Sequence, residues 1–435
     1  MKKHIYIPLL LLVFTMSMKA QDAVPITKTE VLAKVSENNT SIKISVEEYN
    51  QAKADFRQTN AVFLPNITAS HTAMATTNPL MAFGSKLNQE ILTQNDFNPA
   101  LLNDPSQIEN YATKFEIQQP LINVDGMFQR KAAKSKMEAM SLKTERTQDY
   151  LAFEVEKAYM QLQLAYKAVD VLEKALEAAN ANKSLADNSL KQGYLQRADV
   201  LNVEVRVTEV QNQLQSARSN VQNASNYLSF LMNDDTYVVY IPTDELLVAS
   251  VTMEDKSISE NRSDIKAMEL ASNAYEAMNK ADKMAFLPRL NAFGSYELYD
   301  DQIFQADASG YLFGAQLSWD IFQGSKRFGK AQKSKSEFEK SKLEYKQYVS
   351  QSNLELNKAK RAFIDAENKL KLNSLALGQS EESLRIRTNR FKEGLEKTSD
   401  LLIAETQFAQ KQLEYYQTIF EYNYAQAYLQ FLTKE

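Results

Sequence analysis

AVFLP at residues 61–65 and MAFLP at residues 284–288 are nearly the same phrase written twice. Other phrases recur around them in the same order. ENNTSIK (37–43) precedes the first, and ENRSDIK (260–266) precedes the second at the same offset, without a gap. Downstream, KAAKSK (131–136) matches KAQKSK (330–335), GYLQRADVL (193–201) matches GLEKTSDLL (394–402), and NYLSFLM (226–232) matches AYLQFLT (427–433). Chance resemblance between helical segments explains one such landmark, not five in register. The chain is a tandem duplication with units of about 200 residues. The expected division is a first repeat at 21–232, a linker at 233–256 containing Pro242, and a second repeat at 257–435.

Each repeat predicts the same plan: helix, strand, loop, strand, long helix, tight turn, helix. A helical stretch over 28–62 stops before Leu64-Pro65, because proline ends a helix and biases its predecessor toward extended structure. NITASHTAM (66–74) sets Ile67, Ala69, His71 and Ala73 against Asn66, Thr68, Ser70 and Thr72. YATKFEIQQP (111–120) sets Tyr111, Thr113, Phe115 and Ile117 against Ala112, Lys114, Glu116 and Gln118. The second repeat offers a helix over 258–286, RLNAFGSYELY (289–299) and YLFGAQLSWD (311–320). An apolar, aromatic-ended outer face over a polar inner face is the pattern of a membrane-barrel strand, although an antiparallel sheet on a soluble core also alternates. Tyr111, Tyr311 and Trp319 are the expected membrane-interface aromatics. The connections 75–110 and 300–309 are expected to be loops, the first carrying Pro79, Pro99 and Pro105.

The helices carry a different period. Val200, Val203, Val207, Val210, Leu214, Ala217, Val221, Ala224, Leu228 and Leu231 alternate by three and four, a heptad pattern. The counterpart from Leu401 to Leu432 keeps the phase but is interrupted by Lys411 and Thr418. The long helices, at about 124–192 and 325–393, each measure on the order of 100 Å. Gly193 and Gly394 mark the turns that follow them.

Composition narrows the chemistry. The 435 residues hold no cysteine and two histidines, His4 and His71. Disulfides, thiolate metal sites and a multi-histidine zinc site are excluded, and no cofactor or metal is expected. MKKHIYIPLLLLVFTMSMKA (1–20) has a basic start, a short apolar run and a small final residue, which marks a secretory signal peptide. Its loss removes three lysines and leaves 47 basic against 55 acidic residues, a net charge of −8. An acidic chain without a basic cluster argues against nucleic acid as a partner. No further apolar run reaches membrane-spanning length, so a membrane crossing needs β-strands. Four strands per chain are too few to close a barrel, and pooling two copies gives about eight, three copies about twelve.

The duplicated helix–Leu-Pro–strand–strand–helix plan resembles the TolC-like family of outer-membrane channels, the outer membrane factors. The turns Gly193/Asp199/Leu201 and Gly394/Asp400/Leu402 carry the same resemblance. It covers essentially the whole mature chain. It implies a mainly α fold of tandem long hairpins, forming an α-barrel tunnel through the periplasm. It also implies a homotrimer whose twelve strands close one barrel in the outer membrane of a Gram-negative bacterium. The partners implied are a periplasmic adaptor (a membrane fusion protein) and an inner-membrane pump or ABC exporter of a drug-efflux or type I secretion system. The channel itself is a passive duct and not an enzyme.

The family narrows its tunnel with rings of aspartate near the periplasmic tip. Asp400 falls at the first ring position and Ile403 at the second, so one ring is expected. Asp400 also sits where an aspartate caps a helix start. The family links its hairpins through a Tyr and an Arg, but Phe391 and Glu396 occupy those positions, while Asp199 is retained. A charge-swapped link between Glu396 and Arg197 is the expectation that follows. Gly193, Tyr194, Leu195, Gly394 and Leu395 form the expected adaptor-docking tips. The competing class is a secreted or periplasmic coiled-coil scaffold or adhesin, which leaves the paired amphipathic strands unexplained. A carboxylate-based hydrolase has no motif to support it, since neither catalytic spacing nor a Gly-rich phosphate loop is present.

Overall fold

The structure is a computed structural model that describes residues 23–236, 238–250 and 257–435. The signal peptide at 1–20 and parts of the 233–256 linker lie outside the described residues. In chain order the elements are β1 (Val24–Ile26), α1 (Lys28–Asn38), α2 (Thr40–Gln58), β2 (Asn66–Thr76), α3 (Pro79–Asn88), α4 (Pro99–Asn103) and β3 (Ile108–Ile122). Then come α5 (Val124–Lys191), α6 (Arg197–Met232), β4 (Tyr240–Pro242), α7 (Ser263–Met284), β5 (Arg289–Asp300), β6 (Ala308–Ser318), α8 (Lys326–Lys392) and α9 (Thr398–Thr433). The long helices α5 and α8 have 68 and 67 residues, and α6 and α9 have 36 each. The described residues fall into two compact units: those of 23–43, 147–258 and 354–434, and those of 44–146 and 259–353.

The first unit is helical. Its main core joins Val155, Tyr159 and Leu162 of α5 to Val221, Leu228 and Leu231 of α6, with Val31 and Val35 of α1. The small parallel pair β1–β4 closes this core, and the Tyr159 hydroxyl donates to the Ile26 carbonyl at 3.1 Å. The α6 heptad is buried as its spacing predicts, from Val200 to Leu231, with Ala224 half-buried. The α9 heptad is buried towards both ends, at Leu401 and Ala404 and from Thr418 to Leu432, but Phe408, Lys411 and Tyr415 in its middle stay half-exposed, and Ala409 and Ile419 beside them are buried. Bulky rings on α9 stack along the helix instead of pointing into a narrow seam: Phe420, Tyr424 and Tyr428 follow one another at centroid distances of 6.1 Å. Phe153 of α5 packs under the last of them.

The helix expected over 28–62 is broken. Asn39 leaves the helical region (φ −59°, ψ 128°) between α1 and α2. Its Nδ2 donates to the Leu231 carbonyl at 2.7 Å, and its Oδ1 accepts from the Ser41 N–H at 2.9 Å. The side chain thus supplies the helix start that the backbone needs. The helix expected over 258–286 likewise begins later, at Ser263, because Arg262 at the matching place is extended.

The second unit holds an antiparallel sheet of order β2-β3-β5-β6. Phe115 lies opposite Ala69 on one side and Tyr296 on the other. One extra residue, Leu121, disturbs the β3–β5 register beside Pro120, which has no N–H to give a ladder. The outer strands β2 and β6 have 11 residues each, and each has one neighbour within the chain. On the inner face Phe293 lies opposite Gly314, where a Cβ would stand 2.8 Å from the ring.

Near the start of α7 the same unit buries a polar knot. Arg262 donates to both carboxylate oxygens of Asp264, at 2.6 and 2.9 Å, and to Ser352 at 2.9 Å. The Tyr348 hydroxyl donates to Asp264 at 2.6 Å, and Arg146 stands 3.5 Å away. Burial pushes Asp264 up, but the bonds from Arg262 and Tyr348 and the charge of Arg146 outweigh it and hold the carboxyl low. Burial pushes Tyr348 up to about 12, and its bond to Asp264 adds to this.

Candidate functional site

The sheet separates two kinds of surface. One face exposes Ile67, Phe115, Ile117, Tyr311, Phe313 and Leu317. The other carries Lys114 between Glu116 at 3.2 Å and Glu297 at 3.4 Å. A charged row on one side and bare apolar groups on the other fit a wall between lipid and water. Trp319 lies just past β6, and its indole N–H donates to the Phe286 carbonyl at 3.0 Å. Tyr111 donates to Glu109 at 3.2 Å near the far end of β3. Tyr311 is four residues into β6 and stacks on Phe313 at 6.2 Å. Sequence reasoning missed Phe63, Leu121, Ile321 and Phe322, which are exposed around the same end as Trp319. Their signal was local: apolar residues in strand-end segments that had no core to enter.

The two hairpin tips share one backbone. Gly193 has φ +78° and Gly394 has φ +74°, a conformation open to glycine because it has no Cβ. The N–H of Gly193 reaches the Leu190 carbonyl and that of Tyr194 reaches the Ser189 carbonyl, at 3.0 and 2.9 Å. At the second tip Gly394 reaches Phe391 and Leu395 reaches Arg390, at the same two distances. Both are helix C-terminal turns that satisfy the last carbonyls.

Their side chains differ. Asp199 accepts from the Gln196 N–H at 3.2 Å, so it caps the start of α6. Asp400 occupies the first turn of α9, half-buried, three residues after the cap position Lys397. The expected link between Glu396 and Arg197 is not formed. Glu396 accepts instead from Arg387 at 2.8 Å and Arg390 at 2.7 Å, both on α8 of its own hairpin. Those guanidiniums, one turn apart, reach Glu396 with short side-chain paths, and the Arg390 bond foremost holds its carboxyl below the usual range. Arg197 stands 3.8 Å from Glu204 within α6. Phe391 is half-buried, whereas Tyr194 and Leu395 are 80% and 67% exposed.

The hairpins meet through contacts other than the expected charge-swapped link. Leu402 of α9 packs with Leu190 and Leu195 against buried Ala186, Val200 and Val203. Asn182 of α5 donates to Glu405 of α9. Burial pushes the Glu405 carboxyl up, against the Asn182 bond and the nearby charge of Arg206. Among the described residues no helix is long and apolar enough to cross a membrane, and no group of acidic and histidine side chains could hold a metal ion.

A family model described as outer membrane efflux protein matches residues 31–234 and 256–433. The chain belongs to the outer membrane efflux protein family. It is thus an outer-membrane transport protein, and the paired hairpins and the amphipathic sheet are the parts of an efflux channel. Solved structures of low sequence identity share the fold. The outer membrane protein VceC of Vibrio cholerae is 16% identical, with a TM-score of 0.79 over 93% of this chain and 95% of that one. A membrane protein from Pseudomonas aeruginosa is 17% identical, with a TM-score of 0.81 over 93% of each chain. The MtrE outer membrane channel of Neisseria gonorrhoeae, in its open state, is 17% identical, with a TM-score of 0.77 over 93% of this chain and 88% of that one. A comparison with curated protein sequences found no match.

Proposed function

We propose that three copies of this efflux-family chain close one twelve-stranded barrel and serve as a passive exit duct from the periplasm. The observation that carries this is the sheet: four strands, two uncompleted edges of equal length, an apolar exposed face and a charged opposite face. An open edge in lipid leaves backbone groups without partners, so edges must join edges, and β6 of one copy meets β2 of the next. The two repeats, 21–232 and 257–435 about the 233–256 linker, each supply two strands and one long hairpin. The exposed tip residues Tyr194 and Leu395, with Gly193, Leu195 and Gly394, are the docking surface for a periplasmic adaptor, which links the duct to an inner-membrane pump or ABC exporter. Three Asp400 carboxylates around one axis favour cations at the periplasmic end, while Asp199 keeps its capping role.

The experiment is a mass measurement on the detergent-purified protein, followed by reconstitution in a planar bilayer. A trimer that conducts supports the reading. A water-soluble monomer that requires no detergent and forms no channel overturns it.

A further inference from the structure

The connection between β2 and β3 is not a loop. Asn78 accepts from the Met81 N–H at 3.2 Å and starts α3, with Pro79 in the first turn. Asn98 accepts from the Ala100 N–H at 3.0 Å and starts α4 in the same way. Lys86 of α3 reaches Asp96 at 2.7 Å, and Asp96 also accepts from the Thr93 N–H and hydroxyl at 2.7 Å. Phe83 meets Phe97 edge-on at 5.7 Å. The segment therefore has a small interior of its own. The β5–β6 connection, 301–307, contains no helix.

This small domain leans to one side of the sheet. Gln89, 4% exposed, donates from Nε2 to the Asn110 side chain at 2.9 Å, the Glu109 carbonyl at 2.9 Å and the Asp300 carbonyl at 3.1 Å. Asn110 is on the same face as Lys114 and Glu116, since strand side chains alternate. Asn110 and Ala308, both on that charged face at this end, are 8% and 2% exposed. The oppositely directed Ala75 and Ser309 remain exposed. A segment folded outward would have covered the reverse set.

We propose that residues 77–107 form a cap over the lumen side of the sheet, so that three caps narrow the outer mouth and limit the size of what leaves. The inference rests on the barrel reading above and adds to it a constriction built by the sheet's own connection. Cargo is then sorted by bulk where it leaves.

The chain has no cysteine, so a single Ser70→Cys on the inner face reports access to the lumen. Small and bulky methanethiosulfonate reagents are added from outside to cells carrying this variant. The bulky reagent should react about tenfold more slowly than the small one, and the gap should vanish when 79–104 is replaced by a short Gly-Ser turn. In planar bilayers that replacement should raise conductance about twofold. Gln89→Ala, which frees the cap without deleting it, should shift both readouts the same way. An unchanged reagent ratio and unchanged conductance in conducting channels would overturn the cap. Absence of any channel in the parent protein would instead overturn the barrel reading.

Discussion

Asn39 and Arg262 stand at the same place in the two repeats and have almost the same backbone: φ −59°, ψ 128° and φ −54°, ψ 130°. Each ends an extended turn and releases a helix. What they hold differs. Asn39 bonds one carbonyl of α6 and the N–H groups of its own helix start. Arg262, with its side chain 3% exposed, is a buried charge answered by Asp264 and Ser352. The tips repeat the lesson: Gly193 and Gly394 share a turn, yet one tip caps its helix with Asp199 and the other binds Glu396 to two arginines. Duplication preserved the places where backbone direction changes. The polar groups diverged because each needs a partner nearby, and neighbourhoods differ between the two copies.

Breaking the matched helix starts should give the largest and most unequal effects. Arg262→Ala leaves the Asp264 carboxylate buried without its two-pronged partner and should cost about 3 kcal/mol. Asn39→Ala should cost about 1–2 kcal/mol for a lost cap and one lost carbonyl bond. Thermal midpoints of the detergent-solubilised protein measure both, and equal shifts would contradict the contrast. At the tips, Gly193→Ala and Gly394→Ala should each cost about 1–2 kcal/mol, because both force a Cβ into the left-handed region. The same melts test this, and here near-equality is the expected result.

A finer difference separates the two aspartates. Asp199→Ala should cost about 1 kcal/mol, whereas Asp400→Ala should cost less, since Asp400 makes no comparable capping bond. Asp400→Asn should instead lower the cation preference read from reversal potentials across a salt gradient. A loss of selectivity in Asp199→Asn but not Asp400→Asn would reverse the assignment.

The smallest effects concern pH, and they carry opposite signs. The Glu396 carboxyl is held low by Arg390 and Arg387, so its contribution is present above the ordinary carboxyl value and is lost as pH falls through its own lower value. Burial raises Glu405, so stability declines as pH climbs from the ordinary value through the raised one. Glu396→Gln should flatten the acid side of the stability curve, and Glu405→Gln the side above it. Identical pH profiles for the two variants would remove the distinction.

Much of the fold is legible in the sequence. The strands follow alternation: β2, β3 and β5 contain the segments read from it, while β6 starts three residues earlier than its segment and ends at Ser318, two residues short of it. The break at Asn39 was hidden because apolar spacing runs through it, and the decisive bond goes to Leu231, 192 residues away. The helices α3 and α4 are hidden for a different reason. Pro79 and Pro99 read as loop markers, yet each follows an asparagine, and Asn-Pro is also how a helix begins. At the candidate site, the turns at Gly193 and Gly394 could be read from composition. The partners of Glu396 could not: matching the two tips points to Arg197 on the other hairpin, whereas Arg387 and Arg390, nine and six residues before Glu396 on its own hairpin, reach it in the folded turn.

Gly314 has one further bearing. With no side chain there, the Phe293 ring settles against the strand beside it, close enough that a Cβ at Gly314 would collide with it. A bulky ring that would otherwise jut into the passage is laid down like a tile. The ring lies on the same face as the charged row of Lys114, Glu116 and Glu297, and any side chain at position 314 would push it off that seat.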